Sequence, residues 1–375
     1  MKIKYVEIEG LNGNKEHIKL HFNDDLNIIT GRNGTGKTTI LKLIWYVLSG
    51  NIELALREVN FQLFHLETDL YICIVSKIDN VTCKIRWKWK DENNYELFEK
   101  IEHYNFDIDS EIVQSAEDVP NQRLIETGSS IFLPTFRRIE GGFLTKSKFN
   151  TLSGRIIYSS KNSPINEALN NITNQLSNNN HIFVSSLSTN DIERLLFAKY
   201  TELTEKFSNI QQRETQETLS KIYRANNDNA SALLAEVKAQ MENLEIRRRL
   251  AMKPFETFKD QVLKFIKING IKLGNTKNGL NLGDSASAIS SDLLSSGEKQ
   301  LLSFLAYNAF MQNAIFIIDE PELSLHVDWQ RQLFPTLLKQ GTSNQFIVAT
   351  HSPFIYSKYP DKELMLSSDK GNNED

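Results

Sequence analysis

The run Gly31-Arg-Asn-Gly-Thr-Gly-Lys-Thr38 satisfies the spacing G-x-x-x-x-G-K-[ST], and Thr39 follows it. Such a loop is a phosphate cradle. Its glycines let successive backbone N–H groups converge on phosphate oxygens, its lysine reaches the β and γ oxygens, and its hydroxyl ligates Mg²⁺. Lys37 and Thr38 hold those two positions. A second group of reactive side chains stands near the other end of the chain. Ala314-Ile-Phe-Ile-Ile-Asp-Glu-Pro-Glu322 places two carboxylates directly after an apolar run. Asp319 can hold the Mg²⁺ shell through water, and Glu320 is placed to orient or deprotonate an attacking water. His351 follows another mostly apolar run, Ile347-Val-Ala-Thr350, and could reach a terminal phosphate, although a lone histidine also suits a structural role.

These residues need elements that carry them to one place. Leu26–Thr30 reads as a buried strand ahead of the glycine loop, and Thr39–Leu48 as a helix behind it that Gly50 closes. Ile315–Ile318 and Gln345–Val348 read as fully buried parallel strands, with a helical stretch at Trp329–Leu338 between them. Parallel α/β sheets bind ligands at the C-terminal ends of their strands, where Asp319, Glu320 and His351 fall. Lys2–Glu9, Leu70–Ser76 and Val81–Lys90 suit antiparallel strands, and Ile131–Pro134 adds a short apolar run leading into Thr135–Glu140. The asparagine-rich Asn171–Asn180 is predicted to be loop. Ile192, Leu196, Tyr200, Leu203, Phe207 and Ile210 recur at helical steps, and so do Leu234, Val237, Met241 and Leu244. The polar break Asn226–Asn229 between the two runs predicts a helical hairpin.

Composition narrows the classes. The 375 residues are 40% hydrophobic and 24% charged, which suits a globular chain with a sizeable core. A net charge of −4 argues against a surface built wholly to coat DNA, although a local basic groove remains open. No apolar run approaches the roughly 18 residues of a membrane span, so a soluble, cytoplasmic protein without a membrane partner is expected. Cys73 and Cys83 fall on two alternating segments and read as reduced thiols on neighbouring strands.

Taken together, the motifs carry a family resemblance. Gly31–Thr38 resembles a Walker A, Ile315–Glu320 a Walker B, Leu294-Ser-Ser-Gly-Glu-Lys-Gln300 an ABC signature, and His351 a switch histidine. The chain resembles an ABC-type ATPase of the SMC/RecF/OLD-like group, with Asp319–His326 closer to the OLD-like and RecF-like branch than to membrane transporters. The resemblance implies an α/β, ABC-ATPase-type nucleotide-binding fold: a parallel core sheet plus an antiparallel β subdomain, with a short helical hairpin inserted. It implies ATP and Mg²⁺ as cofactors. Gly31, Arg32, Asn33, Gly34, Thr35, Gly36, Lys37, Thr38 and Thr39 would hold the nucleotide, Thr38 and Asp319 the metal, and Lys37, Asp319, Glu320 and His351 would be catalytic. It also implies a head-to-tail dimer or higher oligomer, in which Ser295, Ser296, Gly297 and Glu298 of one protomer complete the site of another. Ser296 stands where many relatives have glycine. A Q-loop glutamine is missing, and Pro134–Glu140 takes its place in a form that resembles ATPases of bacterial anti-phage systems such as PARIS. That stretch adds Arg137, with Arg138 beside it, as a phosphate or partner contact, although both also suit an ordinary surface.

The expected organisation is an N-terminal ATPase lobe over 1–150, a helical insertion over 151–275, a C-terminal lobe over 276–366, and a disordered tail over 367–375. The first functional expectation is an ATPase that acts as sensor and regulatory scaffold of an anti-phage complex. It would control a separate nuclease or Toprim-like effector and answer to a phage-encoded trigger. No acidic metal cluster follows His351, so an effector activity is expected on another chain. The competing expectation is a RecF/SMC-like clamp that binds DNA in repair or recombination through Arg247–Arg249, Lys253 and Lys264–Lys272. A scaffold that binds ATP without turnover is disfavoured by Glu320.

Overall fold

The computed structural model describes residues 1–14, 17–105, 110–135, 138–139, 164–187, 189–224, 230–265, 274–276, 279–281 and 294–366. The chain divides into two compact units, residues 1–187 with 311–375, and residues 188–310.

Two six-stranded sheets build the first unit. One is wholly parallel, in the order His181–Phe183, Ser130–Leu133, Ile315–Asp319, Gln345–Ala349, Leu26–Thr30, Glu363–Met365. Its central strands are mostly apolar and buried throughout, as strands covered on both faces must be. The other is antiparallel, running Ile18–His21, Ile3–Glu9, Leu63–Thr68, Tyr71–Lys77, Cys83–Trp89, Glu96–Phe98. Here only one face is buried. In the strand Cys83–Trp89, Cys83, Ile85 and Trp87 turn inward while Lys84 and Arg86 turn to solvent. Cys73 and Cys83 are both buried free thiols on adjacent strands, and burial raises the affinity of each for its proton, to about 12 at Cys83.

The helix Lys37–Leu48 is buried nearly all round, which follows from its apolar residues not being confined to one stripe. Ile40, Leu41, Ile44, Trp45 and Leu48 belong to one apolar cluster with Val6, Phe64 and Trp87 of the antiparallel sheet and with Phe132, Ile317 and Ile347 of the parallel one. A polar contact also joins the sheets. Gln345 is fully buried, accepts from the Ile3 N–H at 2.8 Å, and donates to the carbonyls of Ile3 and Asn23, each at 2.8 Å. The first strand of the chain is thereby pinned to a strand more than 300 residues away.

Asn171–Asn180 is not loop: the helix Pro164–Leu176 covers its first half. Ile165, Leu169, Ile172 and Leu176 recur at four- and three-residue steps, Pro164 sits at the helix start, and Leu176 packs against the core. Packing thus outweighs the poor helix propensity of asparagine, about 0.7 kcal/mol per residue at most. Asn178 and Asn179 do leave the helix. Asn178 donates to the Ser49 carbonyl at 2.9 Å, and Asn179 takes the left-handed conformation at φ 46°.

In the second unit, two helices of 36 residues each, Thr189–Arg224 and Ala230–Phe265, form the expected hairpin. Ile192 and Leu196 are buried, but Met241 is 67% exposed and does not lie on the inner face. The break residues 226–229 lie outside the described residues, as do 266–272 and the tail 367–375.

A buried histidine ties the parallel sheet to its covering helices. His181 has no exposed surface, its Nδ1 lies 2.7 Å from the Ser130 hydroxyl, and its Nε2 lies 3.1 Å from the Leu124 carbonyl. Burial holds the imidazole neutral down to about 4. The unfolded chain takes up this proton near the ordinary value of about 6.5. The stabilisation is therefore present above that pH and drains away as pH falls towards the folded value, by roughly 3 kcal/mol. Denaturant unfolding measured from pH 7 to pH 4 should show that loss, and His181→Gln should flatten the slope over this window.

Candidate functional site

The glycine loop joins strand Leu26–Thr30 to helix Lys37–Leu48. Gly31, Gly34 and Gly36 sit at φ 148°, 84° and 89°. At Gly36 the left-handed conformation favours glycine, and a Cβ there would come within a tight 3.3 Å of the Leu11 side chain. The Thr35 hydroxyl donates to the Arg32 carbonyl at 2.9 Å and closes the loop on itself. Arg32, Asn33, Gly34 and Thr38 are exposed, while Thr35, Gly36 and Thr39 are half-buried. Lys37 is buried, and its ammonium donates to the carbonyls of Gly31 at 2.8 Å and Arg32 at 2.9 Å. Desolvation lowers its proton affinity, and Asp319, Glu320 and Glu322 act in the opposite direction.

That coupling reflects strand register. Asp319 stands opposite Ala349, and Ala349 opposite Ile29, so three neighbouring parallel strands end level with one another. The glycine loop, the Asp319-Glu320 pair and the Thr350-His351 segment all leave from that edge. Asp319 is buried, and its Oδ2 accepts a hydrogen bond from the Thr135 hydroxyl. Glu320 takes a left-handed φ of 46°, unusual for a side chain of this size, and its N–H donates to the Ala349 carbonyl at 2.8 Å. Burial raises the Glu320 carboxyl above its usual range, helped by the negative charges of Asp319 and Glu322 and opposed by His351 and Lys37. A half-buried carboxylate with raised proton affinity suits a general base. The His351 residue is exposed, and its backbone N–H donates to Glu322 Oε1 at 2.8 Å.

The structure therefore brings Lys37, Asp319, Glu320 and His351 to one sheet edge. Ser295, Ser296, Gly297 and Glu298 belong to the second unit. There Ser295 precedes helix Ser296–Phe310 in a capping box: Glu298 Oε2 accepts from the Ser295 N–H and hydroxyl, each at 2.7 Å, and the Glu298 N–H points back to the Ser295 hydroxyl at 3.3 Å. Ser295 and Ser296 are exposed and Gly297 is buried. Arg137 lies outside the described residues, whereas Arg138 is in a short strand paired with Ser186. Two side chains had no role in the sequence reading. Thr135 was visible only as part of the segment after an apolar run, and Glu322 only as the second acid of Asp319-Glu-Pro-Glu322.

Residues 1–356 match the family model described as an AAA ATPase domain (AAA_15). The chain belongs to this family of AAA ATPase domains. Among curated relatives, the AAA ATPase domain is 28% identical to the Retron Ec83 probable ATPase of Escherichia coli over 144 residues, 35% of this chain and 27% of the relative. It is 38% identical to the Septu protein PtuA of Bacillus thuringiensis over 85 residues, 22% of this chain and 21% of that protein. The chain thus spans only about a quarter of the length of these relatives. The Retron Vc95 probable ATPase of Vibrio cholerae is 22% identical over 94% of this chain and 71% of its own length. Among solved structures, an Smc head domain from Pyrococcus furiosus aligns with a TM-score of 0.37 and 14% identity, covering 95% of this chain and 91% of that one.

Among the described residues no helix is long and apolar enough to cross a membrane. The Thr135 contact leads to an expected outcome. Thr135→Val removes the hydroxyl that Asp319 accepts from while keeping the shape, so ATP turnover should need several-fold more Mg²⁺ for half-maximal rate. A Mg²⁺ titration of hydrolysis against the unaltered protein checks this.

Proposed function

We propose that this ATPase domain binds MgATP on Gly31–Thr39 and hydrolyses it at the aligned strand ends. The observation that carries the proposal is the common edge reached by the glycine loop, Asp319-Glu320 and His351. The residues fit the cofactors. Positive-φ glycines free the loop's N–H groups for phosphate oxygens, and the Thr38 hydroxyl and Asp319 carboxylate are the hard oxygen donors that Mg²⁺ takes. When bound, the ion would neutralise charge building on the phosphate oxygens. Lys37 gives up its two carbonyl contacts and donates to the phosphates, Glu320 accepts a proton from the attacking water, and His351 donates to the terminal phosphate. Ser295–Glu298 act in trans, the helix N-terminus and its capping serine facing nucleotide on a second protomer. Arg137 adds a phosphate or partner contact.

At the level of biology, the domain serves as sensor and regulatory scaffold of an anti-phage complex, holding a separate nuclease-type effector through ATP-dependent association. Support comes from relatives named as retron ATPases and as a Septu protein. A second reading, a DNA-binding clamp, is favoured by one observation: Arg247, Arg248, Arg249 and Lys253 are all exposed on helix Ala230–Phe265.

Native mass measurement of the protein purified with its genomic neighbours and ATP tests the first reading, which requires a stoichiometric partner chain. Duplex DNA binding that falls steeply with salt, with a slope flattened by substitution of Arg247–Arg249, would replace it by the second. Glu320→Gln should retain ATP, lose turnover by about 10²-fold or more, and accumulate the associated form. Unchanged hydrolysis would remove Glu320 from its role. Since Glu320 works only after losing its proton, the acid limb of the rate profile should lie above the ordinary carboxylate value of about 4.3. Lys37→Ala should abolish nucleotide binding in equilibrium dialysis.

A further inference from the structure

We propose that Glu322 is a positioning residue, a carboxylate staple that holds the His351 segment against the turn following Asp319-Glu320. The inference rests on the reading of His351 as a phosphate contact. One oxygen, Glu322 Oε1, accepts from two successive backbone amides, His351 at 2.8 Å and Ser352 at 3.1 Å. A charged acceptor shared by adjacent N–H groups fixes both position and orientation of the backbone that carries the imidazole.

The staple is closed into a ring by neutral contacts. The Ser352 hydroxyl donates to Gln330 Oε1 at 2.6 Å, and Gln330 Nε2 donates back to the Leu325 carbonyl at 2.9 Å, inside the same turn. The turn itself is tight: Leu325 N–H donates to the Glu322 carbonyl at 3.0 Å, and Glu320 and Ser324 take φ of 46° and 65°. Two loops that leave adjacent parallel strands are thus joined by side chains, not by their own backbones alone. The exposed end of the turn, Leu323 and Ser324, is connected through Glu322 to the exposed His351. Through these two amides the turn and the His351 segment are held together.

Amide hydrogen exchange on the nucleotide-free protein tests the contact independently of turnover. In Glu322→Ala, the peptide containing His351 and Ser352 should exchange about tenfold faster or more. In Glu322→Gln, which keeps an oxygen acceptor, most protection should return. Unchanged exchange in Glu322→Ala would overturn the staple. Steady-state kinetics tests the consequence. Glu322→Ala should lower kcat about tenfold with little change in KM for ATP, the scale of one lost catalytic hydrogen bond. In a His351→Ala background the same change should cost nothing more. Independent, multiplicative losses would show that Glu322 does not act through His351 and would overturn the proposal. A His351→Ala protein that turns over at the original rate would instead overturn the phosphate role of His351, and the exchange result would still decide whether Glu322 holds the loop.

Discussion

The register of three parallel strands is the constraint on which the site depends. Backbone hydrogen bonding sets Asp319 opposite Ala349 and Ala349 opposite Ile29, so the loops that follow begin at one level. A shift of one residue would turn the side chains of a strand to the opposite face and lift its loop out of line. The three strands are buried along their whole length, so a slip would break the close packing that fits their side chains on both faces.

Around this edge the molecule concentrates charge. Asp319, Glu320 and Glu322 act together on Lys37, and burial adds to their mutual repulsion at Glu320. Such a group of carboxylates is costly without cations, and it is supported by fixed partners: Thr135 on Asp319, a backbone bond behind Glu320, and two amides on Glu322. The left-handed backbone at Glu320 belongs to the same arrangement. A strained residue persists only where its surroundings over-determine it, and strain of this kind gathers at sites that do chemistry.

Polar residues inside the first unit carry specificity that the apolar core cannot. Gln345 satisfies both backbone groups of Ile3 from inside a buried strand, and His181 bridges Ser130 to Leu124. Each buried polar group is acceptable because its partner is supplied, and each would be expensive if the partner moved. These contacts orient the antiparallel sheet and the covering helices about the helix that follows the glycine loop.

The sequence by itself determined the glycine loop, the Asp319-Glu320 pair, the parallel strands that carry them and the helical hairpin. Each is a local pattern, written in spacing over fewer than about twenty residues or in the period of apolar side chains. It misjudged Asn171–Asn180, where asparagine content pointed to loop while the helix Pro164–Leu176 runs through its first half and Leu176 packs against the core. Met241 shares the helical spacing of Leu234, Val237 and Leu244, yet it is exposed. What only the tertiary structure decided is who meets whom across long separations. Thr135 reaches Asp319 over 184 residues, Gln345 reaches Ile3 over 342, and Glu322 reaches His351 only because their strands are neighbours. A threonine, a glutamine and a glutamate carry no signal of their partners in sequence, since a hydrogen bond depends on distance and direction in space, and the fold alone supplies both.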